Sequence, residues 1–521
     1  MGMYLNPDCS AFLKNKRNIE FVDKSLLIRE MNNLINTENN HVCVSRPRRF
    51  GKTIAANMLA AYYTKGCDSH DAFRGMKIES DPSFEEHINR YNVIAIDCGG
   101  IYGMSISSMN TVERINAMIL PEFRKQFPDL FFPDYCDLAT AINTVYDSTG
   151  EKFVIILDEY DVLIREHDEK EIKPFLLFLN GLFKSAPLNN AIALSYITGI
   201  LPLEKDVVQS KLNNFSEYSM LEAVPLAPFI GFTKEETAGL AEKHGMDPSE
   251  LERWYDGYCV DGVELYSPKS VIEALRKKRC GDYWTATGSL EAIKKYIEYD
   301  FEGIREDVTR LMAGEQISVD VLSYNNSFEK FCSKDDVFTY LIHLGYLAYD
   351  SKECTCRIPN REIREQWART LKNSVKYKTE SSVLEMSRKL LEATINMNTD
   401  AVAVGLDKSH EMVTSNLSYN NEQSLQSAII LAYFHAYDYY TIIKEMDTGD
   451  GYADVVMIPF VPDKPALVIE LKKDKSEGKA IAQIKEKHYH SGLDGYVGNT
   501  LLVGINYDSK TKKHTCVIEK A

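Results

Sequence analysis

Three things are scarce in this 521-residue chain: apolar runs of membrane length, cysteines in paired spacing, and an excess of positive charge. A transmembrane helix needs about 20 consecutive apolar residues. The longest runs here, such as Phe153 to Leu157, fall far short of that, and no early basic and apolar stretch has the form of a signal peptide. Eleven cysteines are scattered, and the closest pair, Cys354 and Cys356, is only a C-x-C. Neither a secreted disulfide framework nor a paired-cysteine metal site is expected. These absences predict a soluble, cytoplasmic protein with reduced thiols and no membrane partner. The net charge of -16 excludes a protein that coats nucleic acid through a broad basic surface. Any contact with nucleic acid must be local, although a metal site itself needs carboxylates. Internal repeats, low-complexity tracts and heptad runs are also lacking.

What is present is 44% hydrophobic residues, enough for real cores, in a length that allows two to four domains. Short apolar runs at His41 to Ser45, Val93 to Asp97, Phe153 to Asp158 and Ala191 to Thr198 read as buried strands. They alternate with helical stretches, the pattern of a parallel α/β sheet. From about Thr233 to Asp400 the helical period dominates, with Val337 to Leu347 strongly apolar and Arg361 to Leu371 charged and amphipathic. After Asn416 come a helix, a strand pair turning around Val461 to Pro465, another helix, and a strand at Thr500 to Ile505. The expected fold is α/β: a parallel-sheet domain in 1–232, a helical middle region in 233–400 and a second α/β domain in 401–521.

The segment Arg46-Pro-Arg-Arg-Phe-Gly-Lys-Thr53 follows a strand and precedes the apolar helix from Ile54 to Tyr63. That is the place of a phosphate-binding loop. Gly51 would let the backbone approach the phosphates, Lys52 would reach the terminal ones, and Thr53 would ligate Mg²⁺. Arg46 stands where the general pattern has its first glycine and is expected, with Gly51, Lys52 and Thr53, to bind the nucleotide. Arg48 and Arg49 are either further phosphate ligands or a solvated basic loop. Phe153 to Leu157 runs into Asp158-Glu159, a Walker B pattern. Asp158 would hold the Mg²⁺, and Glu159 would orient and deprotonate the attacking water. Thr198, ending the next apolar strand, is a candidate sensor of the γ-phosphate. Alone, a GKT could be a mere helix start and a DE a solvated strand end; both, in strand context and in this order, point to ATP.

Phe21-Val-Asp-Lys-Ser25, the Arg46 to Thr53 loop and Leu157-Asp-Glu-Tyr-Asp161 together resemble the bacterial AAA-ATPase-like family. Trp254-Tyr-Asp-Gly-Tyr258 and Tyr266 to Val271 are similar to downstream segments of that family, so the resemblance covers about the first 290 residues. It implies that an arginine at position 46 is a family feature, and that a C-terminal nuclease domain often follows.

The C-terminal residues can be read independently. In Ala466-Leu-Val-Ile-Glu-Leu-Lys472 side chains alternate, so Glu470 and Lys472 share one face. A carboxylate and an ammonium side by side on a buried strand are costly unless something uses them. Asp454 begins the preceding apolar strand, and the Pro-containing turn would bring it back antiparallel beside Glu470. Mg²⁺ takes one or two protein carboxylates, which Asp454 and Glu470 would supply, while Lys472 would act on the attacking water or on the phosphate charge. Glu422 shares a helical face with Ile429 and would add a carboxylate. An H-x-H pair, His488 and His490, is more simply read as polar packing than as a metal site.

Asp454 followed by Glu470-x-Lys472 resembles the PD-(D/E)XK nuclease signature, with Gly449 to Asp454 similar to its glycine-rich lead-in. The resemblance implies an oxygen ligand from the Leu471 carbonyl and a role for Gln483 after the core strands. The function expected is an ATPase with a metal-dependent nuclease domain, acting on nucleic acid, DNA foremost, with cleavage gated by ATP. A nucleotide-dependent switch or scaffold that binds without cutting is the alternative. Self-assembly into a homo-oligomer is left open.

Overall fold

A computed structural model describes all residues except 105–108, 167, 204–211, 285–289, 300, 323, 325–330, 375, 414–421, 448–451, 476 and 487–498. The chain divides into two compact units, one made of 1–284 and 318–360, the other of 285–317 and 361–521.

The first unit is built on a parallel sheet of β1 (His41–Ser45), β2 (Asn92–Asp97), β3 (Phe153–Asp158), β4 (Ile192–Gly199) and β5 (Ser216–Tyr218), in the order β2-β3-β4-β1-β5. Strands covered on both faces need no polar alternation, and β1, β3 and β4 are buried along their whole length. On one face Ile94, Ile155, Leu157 and Ile197 pack with Ile119, Phe123 and Leu179 of the surrounding helices. The helix α1 (Lys52–Tyr63) packs against β2, β3 and β4, and the small Ala55, Ala56 and Ala60 are buried along it. It begins after Gly51, whose φ of 95° lies in the left-handed region open to glycine. A short helix, α2 (Val162–Arg165), follows β3, and α3 (Pro268–Lys277) starts from a Ser267 cap with proline in its first turn.

The second unit carries a five-stranded sheet of β6 (Tyr440–Asp447), β7 (Tyr452–Pro459), β8 (Ala466–Lys473), β9 (Thr500–Asp508) and β10 (Lys513–Lys520), in sequence order. Only β8 and β9 run parallel. The helix α4 (Glu422–Ala432) covers one face, where Leu425 and Ile429 meet Val455, Leu467 and Ile469. The helix α5 (Glu477–Glu486) covers the other, with Ile481 and Ile484 against Val456, Ala466 and Val468.

The expected boundaries at 232 and 400 do not coincide with these units. Of the expected middle region, 233–284 and 318–360 fall in the first unit, and 285–317 and 361–400 in the second. Its helices at Lys334–Leu344 and Arg361–Lys372 are present, but so are short strands at Phe232–Thr233, Tyr258–Val260 and Val263–Tyr266 that pair with one another. Among the described residues no helix is long and apolar enough to cross a membrane.

Candidate nucleotide and metal sites

Strands β1 and β3 deliver the two halves of the first site to the carboxyl ends of one sheet, where ligands of open α/β folds bind. Thr53, at the start of α1, donates its hydroxyl to Asp158 Oδ2 at 2.6 Å, joining segments 105 residues apart. The Lys52 ammonium lies inward, donating to the loop's own Arg46 and Pro47 carbonyls at 2.9 Å each. Burial lowers its pKa to about 8, against the pull of Asp161 and Asp158. Burial also raises the Asp158 carboxyl, opposed first by the Thr53 hydrogen bond. Glu159 has a φ of 52°, rare for a side chain other than glycine. Its carboxylate lies beside Gly99, where an added Cβ would stand 2.3 Å from Oε2.

Arg48, Arg49, Gly51, Lys52, Thr53 and Glu159 all line one cavity of about 580 Å³. Arg49 also donates to the Tyr283 carbonyl at 2.8 Å, and Phe50 packs edge-on against Tyr258 and Trp284, which holds the loop from outside. A second, apolar cavity of about 260 Å³, lined by Phe21, Phe50, Met58 and Phe229 among others, shares Gly51, Ile54 and Ile272 with the first.

In the second unit, Val455 pairs with Ile469 in the β7–β8 register, so Asp454 and Glu470 stand one step on, opposite each other. Asp454 Oδ2 accepts from the Leu471 N–H at 2.7 Å. Glu470 is 1% exposed; Lys472 donates to its Oε1 at 2.5 Å, and its Oε2 has no hydrogen-bond partner. Burial first, then the Asp454 charge, pushes this carboxyl up to about 7, while Lys472 pulls it back. Glu470 and Lys472 continue the face of Ala466 and Val468, against which α5 packs, and Gln483 lies on α5. A buried carboxylate oxygen with no partner, facing a second carboxylate, fits a hard divalent cation that keeps most of its water. These two residues form a pair; among the described residues no group of three or more His, Cys, Asp or Glu is arranged to hold a metal.

Residues 12–209 match the family model described as a predicted AAA-ATPase, and residues 420–516 match that of the PD-(D/E)XK nuclease superfamily. The chain joins an AAA-ATPase-like domain to a PD-(D/E)XK nuclease superfamily domain. A curated protein of Azotobacter chroococcum mcd 1, the "Uncharacterized protein in vnfD 5'region", is 24% identical over 271 residues. The match spans about half of either chain, 48% of each. The solved structure of the Aeropyrum pernix ORC2 protein in ADPNP-ADP complexes covers 70% of this chain and 92% of its own, at 10% identity and a TM-score of 0.33.

In the AAA-ATPase-like domain two expectations need correction. Arg46 is no phosphate ligand here: fully buried, it donates to the carbonyls of Ser45, Tyr218 and Ser219, tying the loop to β5. Burial lowers its pKa to about 10. Thr198 stands between Val44 and Asp158 in the sheet register, yet its hydroxyl donates to the Val44 carbonyl at 2.9 Å and does not face the cavity. A strand position shows which end of the sheet a residue reaches, but not what its hydroxyl binds. Sequence reading also missed Arg165, which lines the 580 Å³ cavity, although Asp161 and Arg165 are spaced i,i+4 directly after the Asp158-Glu159 pair.

In the nuclease domain it missed Gln426, whose Nε2 donates to the Asp454 carbonyl at 2.6 Å. The signal was there, since Gln426 lies one helical turn after Glu422. The Glu422 side chain, Gly449, His488 and His490 lie outside the described residues.

Proposed function

We propose that this protein is an ATP-gated, Mg²⁺-dependent nuclease acting on DNA. The nucleotide half rests on the family match and on the assembled Thr53–Asp158 pair. In this reading the triphosphate lies in the 580 Å³ cavity, with Lys52 turning from the loop carbonyls to the β- and γ-phosphates and Glu159 taking a proton from the attacking water. The nucleobase occupies the adjoining apolar cavity.

One observation carries the nuclease half: the partnerless Oε2 of a buried Glu470, opposite Asp454 and beside Lys472. A bound divalent ion would polarise water and the scissile phosphate. Asp454 and Glu470 would hold it, with the Leu471 carbonyl completing the oxygen set. Lys472 would orient the attacking water and meet charge developing on the phosphate. The second reading is a switch or scaffold whose nuclease-like fold binds nucleic acid or a partner without cutting; the net charge of -16, which opposes broad contact with phosphate, favours the partner.

Incubation with labelled DNA or RNA, Mg²⁺ or Mn²⁺, and ATP or none separates the two readings. Lys52→Ala should lose ATP binding, whereas Glu159→Gln should bind ATP and hydrolyse it on the order of a hundredfold more slowly. ATP-dependent cutting in the parent and none in Lys52→Ala supports gating. Binding without cutting under every condition selects the switch.

A further inference from the structure

Arg165 has no part in the function so far described, yet it lines the same cavity as Lys52, Thr53 and Glu159. Its side chain is only 7% exposed, a place where a guanidinium needs a partner. Asp161, fully buried, is that partner: Arg165 Nε meets Asp161 Oδ2 at 2.9 Å. The same oxygen accepts the N–H groups of Ile200 at 3.0 Å and Leu201 at 2.9 Å, so the near end of the guanidinium is fixed to the chain just beyond β4.

The far end is held differently. Nη2 stands 3.5 Å from Glu159 Oε2, longer than the roughly 2.8 Å of a charge-assisted hydrogen bond. Glu159, meanwhile, is kept in a left-handed backbone conformation with its carboxylate against Gly99. A left-handed conformation is costly for a side chain other than glycine, and here it sits in the wall of the cavity. The pair leaves Glu159 Oε2 on the Arg165 side of the cavity.

We propose that Arg165 is the γ-phosphate sensor of this domain: anchored through Nε on Asp161, it exchanges Glu159 for the terminal phosphate of a bound nucleoside triphosphate and so releases the Glu159 carboxylate. The proposal rests on the ATPase reading of the cavity. In the reaction that follows, the water oxygen forms a bond to Pγ, the bond from Pγ to the diphosphate oxygen breaks, and one water proton passes to Glu159. Negative charge grows on the oxygens that Arg165 faces, the role an arginine supplied in cis plays in phosphoryl transfer. With a diphosphate in the cavity Nη2 returns to Glu159. Lys52, placed against β- and γ-phosphates alike, cannot make that distinction.

The test compares full-length parent, Arg165→Ala, Arg165→Gln and Arg165→Lys, each checked by thermal unfolding. Affinities are measured for ADP and for a non-hydrolysable imido analogue of ATP, beside kcat and KM for ATP. Arg165→Gln keeps an amide donor for Asp161 and removes the charge, so it covers the case in which the alanine variant fails to fold. The expected result is about tenfold weaker binding of the analogue with ADP affinity unchanged, and kcat lower on the order of a thousandfold. Arg165→Lys should regain part of both. Analogue and ADP affinities that fall together, or neither falling, in a folded Arg165→Gln overturns the sensor role while leaving the ATPase reading intact. A parent protein without ATPase activity, whose nucleotide binding is indifferent to Lys52→Ala, overturns both.

Discussion

Burial and the neighbouring Asp454 raise the Glu470 carboxyl from 4.5 to about 7, and the sign of that shift has two consequences. Between those values the folded chain holds a proton that the unfolded chain has lost. The contribution of Glu470 to stability is therefore fully present below about pH 4.5 and is lost as pH rises through about 7. A divalent ion must displace that proton. Titration calorimetry between acid and mildly alkaline pH should show Mg²⁺ affinity rising about tenfold per pH unit and levelling off once Glu470 is ionised. A flat profile would remove Glu470 from the ligand set. Glu470→Gln should lose the ion, because a neutral amide replaces the anionic ligand.

At the scale of elements, much of both sites was legible. The strands β1 and β3 and the first strands of the C-terminal hairpin stand where apolar runs put them, and the alternation rule set Glu470 and Lys472 on one face. What stayed hidden has physical reasons. The strands β6 and β10 are sheet edges, half exposed and polar, and β10 reads Lys-His-Thr-Cys-Val-Ile-Glu-Lys, with no apolar run to mark it. Arg46 and Thr198 face inward because buried backbone carbonyls at Ser219 and Val44 need donors, a demand that tertiary packing creates and local sequence does not show. Gly99 is a further case: its lack of a side chain matters only because Glu159, 60 residues later in sequence order, lies against it. Gly99→Ala should push the Glu159 carboxylate aside, leave ATP affinity near that of the parent, and slow hydrolysis on the order of tenfold or more. An unchanged turnover rate would show that Glu159 works from another position.

For the whole molecule, the chain passes between its two compact units three times, near residues 284, 317 and 360. In the proposed gating, those passages would be covalent routes by which nucleotide state in one unit biases the other. With a net charge of -16, the nucleic-acid binding proposed above would depend on the local site and a bound metal more than on a general field. Asp454→Asn is the most informative change, because the amide oxygen can still accept the Leu471 N–H while the negative charge is lost. The deciding measurement is cleavage of end-labelled DNA in Mg²⁺, with and without ATP, by parent and Asp454→Asn proteins purified side by side. ATP-gated cleavage at the Asp454 site predicts ATP-dependent cutting by the parent and none by Asp454→Asn, with ATP hydrolysis equal in the two. Equal cutting by both, or no cutting by a parent that hydrolyses ATP, would contradict it.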